Sequence, residues 1–131
     1  MKQSIIISAC LLGRECRYNG SHIKITNLDS LDMEFIPVCP EDAGGLGTPR
    51  PAAELNSSAN EVVNGTGEIV TKSGTDVTTQ FINGSKKELS KLKLTNSKIA
   101  VLKSRSPSCG YGEIYDGSFT GNICKGNGIF S

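Results

Sequence analysis

Three short β-branched runs, each leading into a polar or Gly/Pro-rich loop, and one long helical stretch between the second and third predict a single α/β domain. The expected build is Rossmann-like, with three layers and a mostly parallel sheet joined by crossover helices. A chain of 131 residues suits one domain with one modest core, and no internal repeat or linker interrupts residues 1–131.

Taken in order, Ser4 to Ala9 reads as a buried strand, because Ile5-Ile6-Ile7 shows no polar alternation. It ends at Cys10 and Leu11-Leu12-Gly13. Residues 14–21 read as a polar loop with Asn19-Gly20 as its turn, and a helix is expected to begin within His22 to Ser30. Glu34 to Val38 is the second strand, and it too ends on a cysteine, Cys39. From Pro40 through Gly44-Gly45-Leu46-Gly47 to Pro49-Arg50-Pro51, the density of Gly and Pro predicts irregular chain with no helix. Residues 62–72 read as a β-hairpin with Gly65-Thr66-Gly67 near the turn. Asp76 to Leu94 reads as a helix, with Thr75 or Asp76 near its start and lysines toward its end. Ser97 to Lys103 is the third strand, and it runs into Ser104-Arg105-Ser106-Pro107-Ser108-Cys109-Gly110. The Gly-rich tail from Tyr111 to Ser131 is given no element.

Composition removes several functions. A net charge of +1 supplies no electrostatic reason to bind nucleic acid or an anionic membrane. Trp is absent and aromatics are few, which argues against a base-stacking platform for a polymer. Met1-Lys2 leads directly into an apolar run too short for a signal core or a membrane span, so a cytoplasmic protein with reduced thiols is expected. Five cysteines is an odd count, which argues against a disulfide framework. The single histidine, His22, weakens any Ser-His-Asp or Cys-His mechanism.

The remaining chemistry lies in cysteine placement. Strand one delivers Cys10, strand two delivers Cys39, and strand three delivers Cys109 a few residues past its end. Ligands of open parallel sheets bind beyond the carboxyl ends of the strands, so three thiols emitted there can converge. Iron–sulfur clusters and zinc both take such ligands. A zinc- or other metal-binding module without turnover is the alternative to an enzyme, but the chain lacks the Cys-x2-Cys pairs usual in zinc sites. A metal-free thiol enzyme would need an activating base that one histidine does not readily supply. Cys16, in a polar loop, is a fourth ligand, a substrate contact or a spare thiol, whereas Cys124 is expected to be a buried structural cysteine. Glu41, two residues after Cys39, is either a solvated carboxylate or a general acid/base. Ser106 and Ser108 either cap a following helix or bond a substrate. Arg50 and Arg105 are surface arginines by default and anion or carbonyl partners otherwise. Gly44-Gly45-Leu46-Gly47 and Gly126-Asn127-Gly128 fit no phosphate-loop spacing, and are expected to let the backbone approach the ligand.

Together, Ser8-Ala9-Cys10-Leu11-Leu12-Gly13, Cys16-Arg17-Tyr18-Asn19-Gly20, Cys39-Pro40-Glu41, Gly44-Gly45-Leu46, Pro49-Arg50, Ser106-Pro107-Ser108-Cys109-Gly110 and Ile114-Tyr115-Asp116-Gly117-Ser118-Phe119 resemble the domain-of-unknown-function 523 family, which includes thiouracil desulfidases. The resemblance covers nearly the whole chain, with the motifs in the family's order. It implies a [4Fe-4S] cluster held by Cys10, Cys39 and Cys109, whose open iron takes the sulfur of a small thiolated base. It also implies Glu41 as acid/base and Ser106 as the polar partner in the pocket, with Ser108 the neighbouring alternative. The implied reaction is the non-redox conversion of thiouracil to uracil and hydrogen sulfide. Family members usually run past the final Gly-x-Gly into a further helix and strand, so residues 1–131 are expected to form one such domain short of those last elements.

Overall fold

A computed structural model describes residues 3–14, 17–19, 33–93, 95 and 97–131. Its centre is a three-stranded parallel sheet in which β1 (Gln3–Ser8) lies between β2 (Met33–Val38) and β5 (Ile99–Val101). The register pairs Ser8 with Val38 and Ile7 with Val101, so all three strands end at nearly one level. Pro37 removes a backbone donor from β2, which an edge strand tolerates. Two small antiparallel ribbons complete the strands: β3 (Ala53–Leu55) with β4 (Ile69–Thr71), and β6 (Glu113–Tyr115) with β7 (Ile123–Lys125). The protein is thus mixed α/β with a parallel sheet, as expected, with two ribbons in addition.

Several local expectations change. The region after Cys39 does form a helix, α1 (Pro40–Ala43), one turn long, with Pro40 at the position where a missing N–H costs nothing. No hairpin spans residues 62–72. Instead α2 (Ala59–Val63) precedes the Gly65-Thr66-Gly67 turn, and β4 pairs back to β3. Ser58 Oγ accepts the N–H of Glu61 at 3.2 Å and donates to Glu61 Oε1 at 3.0 Å, an N-cap that outweighs the strand preference of Val62-Val63. The long helix holds as α3 (Thr78–Leu92), and Asp76 Oδ1 accepts the Thr78 N–H at 2.9 Å just before it. The helix expected from His22, and Cys16, lie outside the described residues.

Two apolar clusters hold these pieces. Leu55, Val62, Ile69, Val77, Phe81 and Ile114 join α2 and α3 to the two ribbons. Ile7, Ala9, Cys10 and Leu11 form the second, under the 3₁₀ turn Ala9–Leu12 that follows β1, with Phe35 and Cys39 packed against it. Helix α3 buries Phe81, Gly84, Ser85 and Leu92 along one face. Gly84 is required there: a Cβ would stand 1.7 Å from the Pro40 carbonyl oxygen, so α1 lies directly on α3. Gly44 is equally close, its virtual Cβ 2.1 Å from the Gln80 carbonyl oxygen.

Candidate active site

The strand ends place the thiols. Cys10 lies two residues beyond Ser8, Cys39 directly follows Val38, and Cys109 returns from the loop after β5. All three line one cavity of about 370 Å³, a size ordinary for small-molecule sites. Cys10 and Cys109 are buried and Cys39 is partly so. Burial pushes the Cys109 thiol up to about 11; hydrogen bonds from Ser8 and Ser108 oppose this, and the charges of Glu41 and Cys39 add to it. Among the described residues no three His, Cys, Asp or Glu side chains are grouped to hold a single metal ion. Thiols on one zinc stand about 4 Å apart, given zinc–sulfur bonds of about 2.3 Å. An iron–sulfur cluster is likewise held by Cys thiolates, each on its own iron.

Cys39 precedes α1, and its carbonyl accepts the Ala43 N–H at 2.9 Å. The seating of α1 on α3 therefore fixes both Cys39 and Glu41. Glu41 is no solvated loop residue: its side chain is 17 % exposed and that of Arg50 only 5 %, with Arg50 Nη2 3.5 Å from Glu41 Oε2. Arg50 Nη1 also donates to the Gly47 carbonyl at 2.8 Å, which overturns the default of a surface arginine. Desolvation raises the Glu41 pKa above its usual value, against the lowering effect of the Arg50 charge and of hydrogen bonds from Ser108 and Arg50.

The serines form a chain. Ser108 Oγ donates to Glu41 Oε2 at 3.3 Å and lies 3.0 Å from Ser106 Oγ. Ser106 Oγ accepts the N–H groups of Ser108 and Cys109, both at 3.1 Å. No helix follows; Ser106 caps the turn that presents Cys109, closed by the Gly110 N–H on the Ser106 carbonyl at 2.9 Å. Both serines line the cavity.

Some readings are corrected. Cys124 is exposed on β7 and fills no core, because the β6–β7 ribbon leaves that strand open to solvent. The glycine loops approach protein rather than ligand: Gly44 meets α3, and a Cβ at Gly128 would lie 2.5 Å from the Ser108 carbonyl carbon. The terminal segment thereby clamps the cysteine turn, with Gly128 N–H on Gly110 O at 2.8 Å and Phe130 N–H on Ser108 O at 2.9 Å. Arg105 lines the cavity as an exposed residue with φ 63°. Sequence reasoning missed Ser8 and Lys103. Ser8 Oγ accepts the Lys103 N–H at 2.8 Å, and Lys103, its pKa lowered by burial and by Arg17, is drawn the other way by the charges of Cys10 and Cys109. Their only signal was position: Ser8 ends β1 and Lys103 lies two residues past the end of β5.

Fold and cavity together define a small mixed α/β protein with a thiol-lined pocket, the class that holds cysteine-ligated metalloenzymes. The profile of the 2-thiouracil desulfurase family matches residues 5–131, and the chain belongs to that family. YbbK, an uncharacterized protein of Bacillus subtilis (strain 168), is 44% identical over 128 residues, covering 95% of this chain and 85% of its own. The solved structure of TudS (DUF523Vcz), a [4Fe-4S]-dependent thiouracil desulfidase, superposes with a TM-score of 0.86 at 42% identity, over 98% of this chain and 82% of that one.

Proposed function

We propose that this chain is a thiouracil desulfidase that converts a thiolated nucleobase and water to the oxo base and hydrogen sulfide, with a [4Fe-4S] cluster held by Cys10, Cys39 and Cys109. The carrying observation is that these three thiols, from three separate elements, share one cavity with Glu41 and Ser108. When bound, a cluster with one iron free of protein ligands supplies a soft Lewis acid suited to a thiocarbonyl sulfur. Glu41, its pKa raised by burial, takes the proton from the water that adds to the ring carbon. The same carboxyl returns a proton to the departing sulfur, so no net redox occurs. Ser108 orients Glu41, and Ser106 both holds the Cys109 turn and ends the hydroxyl chain in the cavity. Cys124, exposed and outside the cavity lining, takes no part.

The substrate is a free small base rather than a nucleic-acid polymer, handled in a reducing, cytoplasmic setting. Among the described residues no helix is long and apolar enough to cross a membrane. We further read the sheet order β2-β1-β5 as the nucleus of a Rossmann-like three-layer fold, a reading supported by the Lys91 bond from α3 to the Pro37 carbonyl at 3.0 Å. The test is anaerobic purification with iron and sulfide analysis, then incubation with 2-thiouracil. About four irons per chain and equimolar uracil and sulfide are expected. Reconstituted protein that takes up no iron, or loaded protein that releases no sulfide, refutes the proposal. Cys10→Ser, Cys39→Ser and Cys109→Ser should each lose iron and activity together, whereas Cys124→Ser keeps both.

A further inference from the structure

The segment joining β6 to β7 has no part in the chemistry above, yet Tyr115 and Phe119 line the same cavity as the thiols, each partly buried. Its backbone is unusual. Phe119 has φ 56°, in the left-handed region that residues other than glycine avoid. Gly117 is also left-handed, φ 91°, and a Cβ there would stand 2.7 Å from the Leu55 carbonyl oxygen, so the segment is pressed onto β3. One side chain from β3 secures it. Glu54 is 8 % exposed, and its Oε1 accepts the N–H of Gly117 at 2.9 Å and of Phe119 at 3.3 Å. A ribbon of two three-residue strands has little power to impose such a conformation alone. The carboxylate supplies what it lacks, since charge-assisted bonds to backbone N–H groups are the strong kind.

We propose that Glu54 is a positioning residue: by fixing Gly117 and Phe119 it sets the ring of Phe119, beside that of Tyr115, as a wall on which a flat conjugated base lies, so the site selects planar thio-heterocycles over puckered ones. The inference takes its substrate from the desulfidase reading. Its test reads binding, which requires no turnover.

Isothermal titration of the anaerobically purified holoprotein compares uracil with 5,6-dihydrouracil, whose saturated ring is puckered. Wild type is expected to prefer uracil by about tenfold, the scale of one base–aromatic stack. Phe119→Gly, which tolerates the left-handed backbone but has no ring, should bring the two within about twofold. Glu54→Ala should do the same, and Glu54→Gln, whose amide oxygen still accepts both N–H bonds, should recover most of the preference. With 2-thiouracil as substrate, Phe119→Gly should raise KM about tenfold and leave kcat within about threefold. A wild-type protein with no preference, or a Phe119→Gly protein with the full wild-type preference, overturns the inference. Failure of the desulfidase reading looks different: no sulfide is released while the uracil preference persists.

Discussion

Glu41 shows how much of the site is decided around a single side chain. Its raised pKa sets the direction of the expected pH dependence. In the role proposed for Glu41 the base form is needed, so kcat/KM should rise with pH along a limb above the ordinary carboxylate value. Arg50 is the leading influence holding that value down. Arg50→Gln removes its positive charge, the Glu41 pKa climbs further, and the acid limb should move to higher pH. A limb that moves to lower pH, or stays in place, contradicts this assignment. Glu41→Gln should lower kcat by about 10²–10⁴ with iron content unchanged, read by sulfide release and iron analysis on one sample. At this scale the sequence was a fair guide to identity and a poor one to surroundings. Glu41 and Cys109 were visible as candidates because they sit beside Pro, Gly and Ser in loops after strands. Their burial was not visible, since it comes from Arg50, Ser108 and the terminal segment, which only the fold brings near.

The elements divide by where their stability comes from. Helix α3 could be read from its start signal and the lysines toward its end, because both are local. Helix α1 could not, because one turn has no independent stability and exists through its seat on α3. Helix α2 was missed although its N-cap stands in the sequence as Ser58-Ala59-Asn60-Glu61. The seat of α1 makes a sharp prediction. Gly84→Ala should gain up to about 1 kcal/mol of helix propensity, yet its methyl meets the Pro40 carbonyl rather than a side chain that can turn away. Net destabilisation of about 2 kcal/mol or more is expected from urea unfolding. Because α1 positions Cys39 and Glu41, the variant should also lose sulfide release in proportion beyond its loss of folded protein. A stabilised Gly84→Ala protein would show that α1 does not rest there.

Across the whole molecule, convergence of the thiols followed from one rule about parallel sheets and from cysteines at three strand ends; the register Ser8 with Val38 and Ile7 with Val101 supplies its geometry. The two ribbons were not legible, because their strands are three residues each, too short for a periodic pattern to show. Thiols from three separated elements also tie stability to loading. Ligands that bind only the folded chain stabilise it, so the iron-loaded protein should unfold at a higher temperature than the same protein after anaerobic chelation. Equal melting temperatures would mean that the three thiols do not share a ligand. The burial of Cys109 bears on the protein before it is loaded. A thiol only 5 % exposed and held in its protonated form is a poor target for alkylation and oxidation. Among the described cysteines Cys124 is the exposed one, so a thiol reagent should mark it before Cys109. In the ligand role proposed for it, Cys109 therefore stays chemically silent while the chain waits for its iron, and the sulfur on the β6–β7 ribbon records exposure to air before this one does.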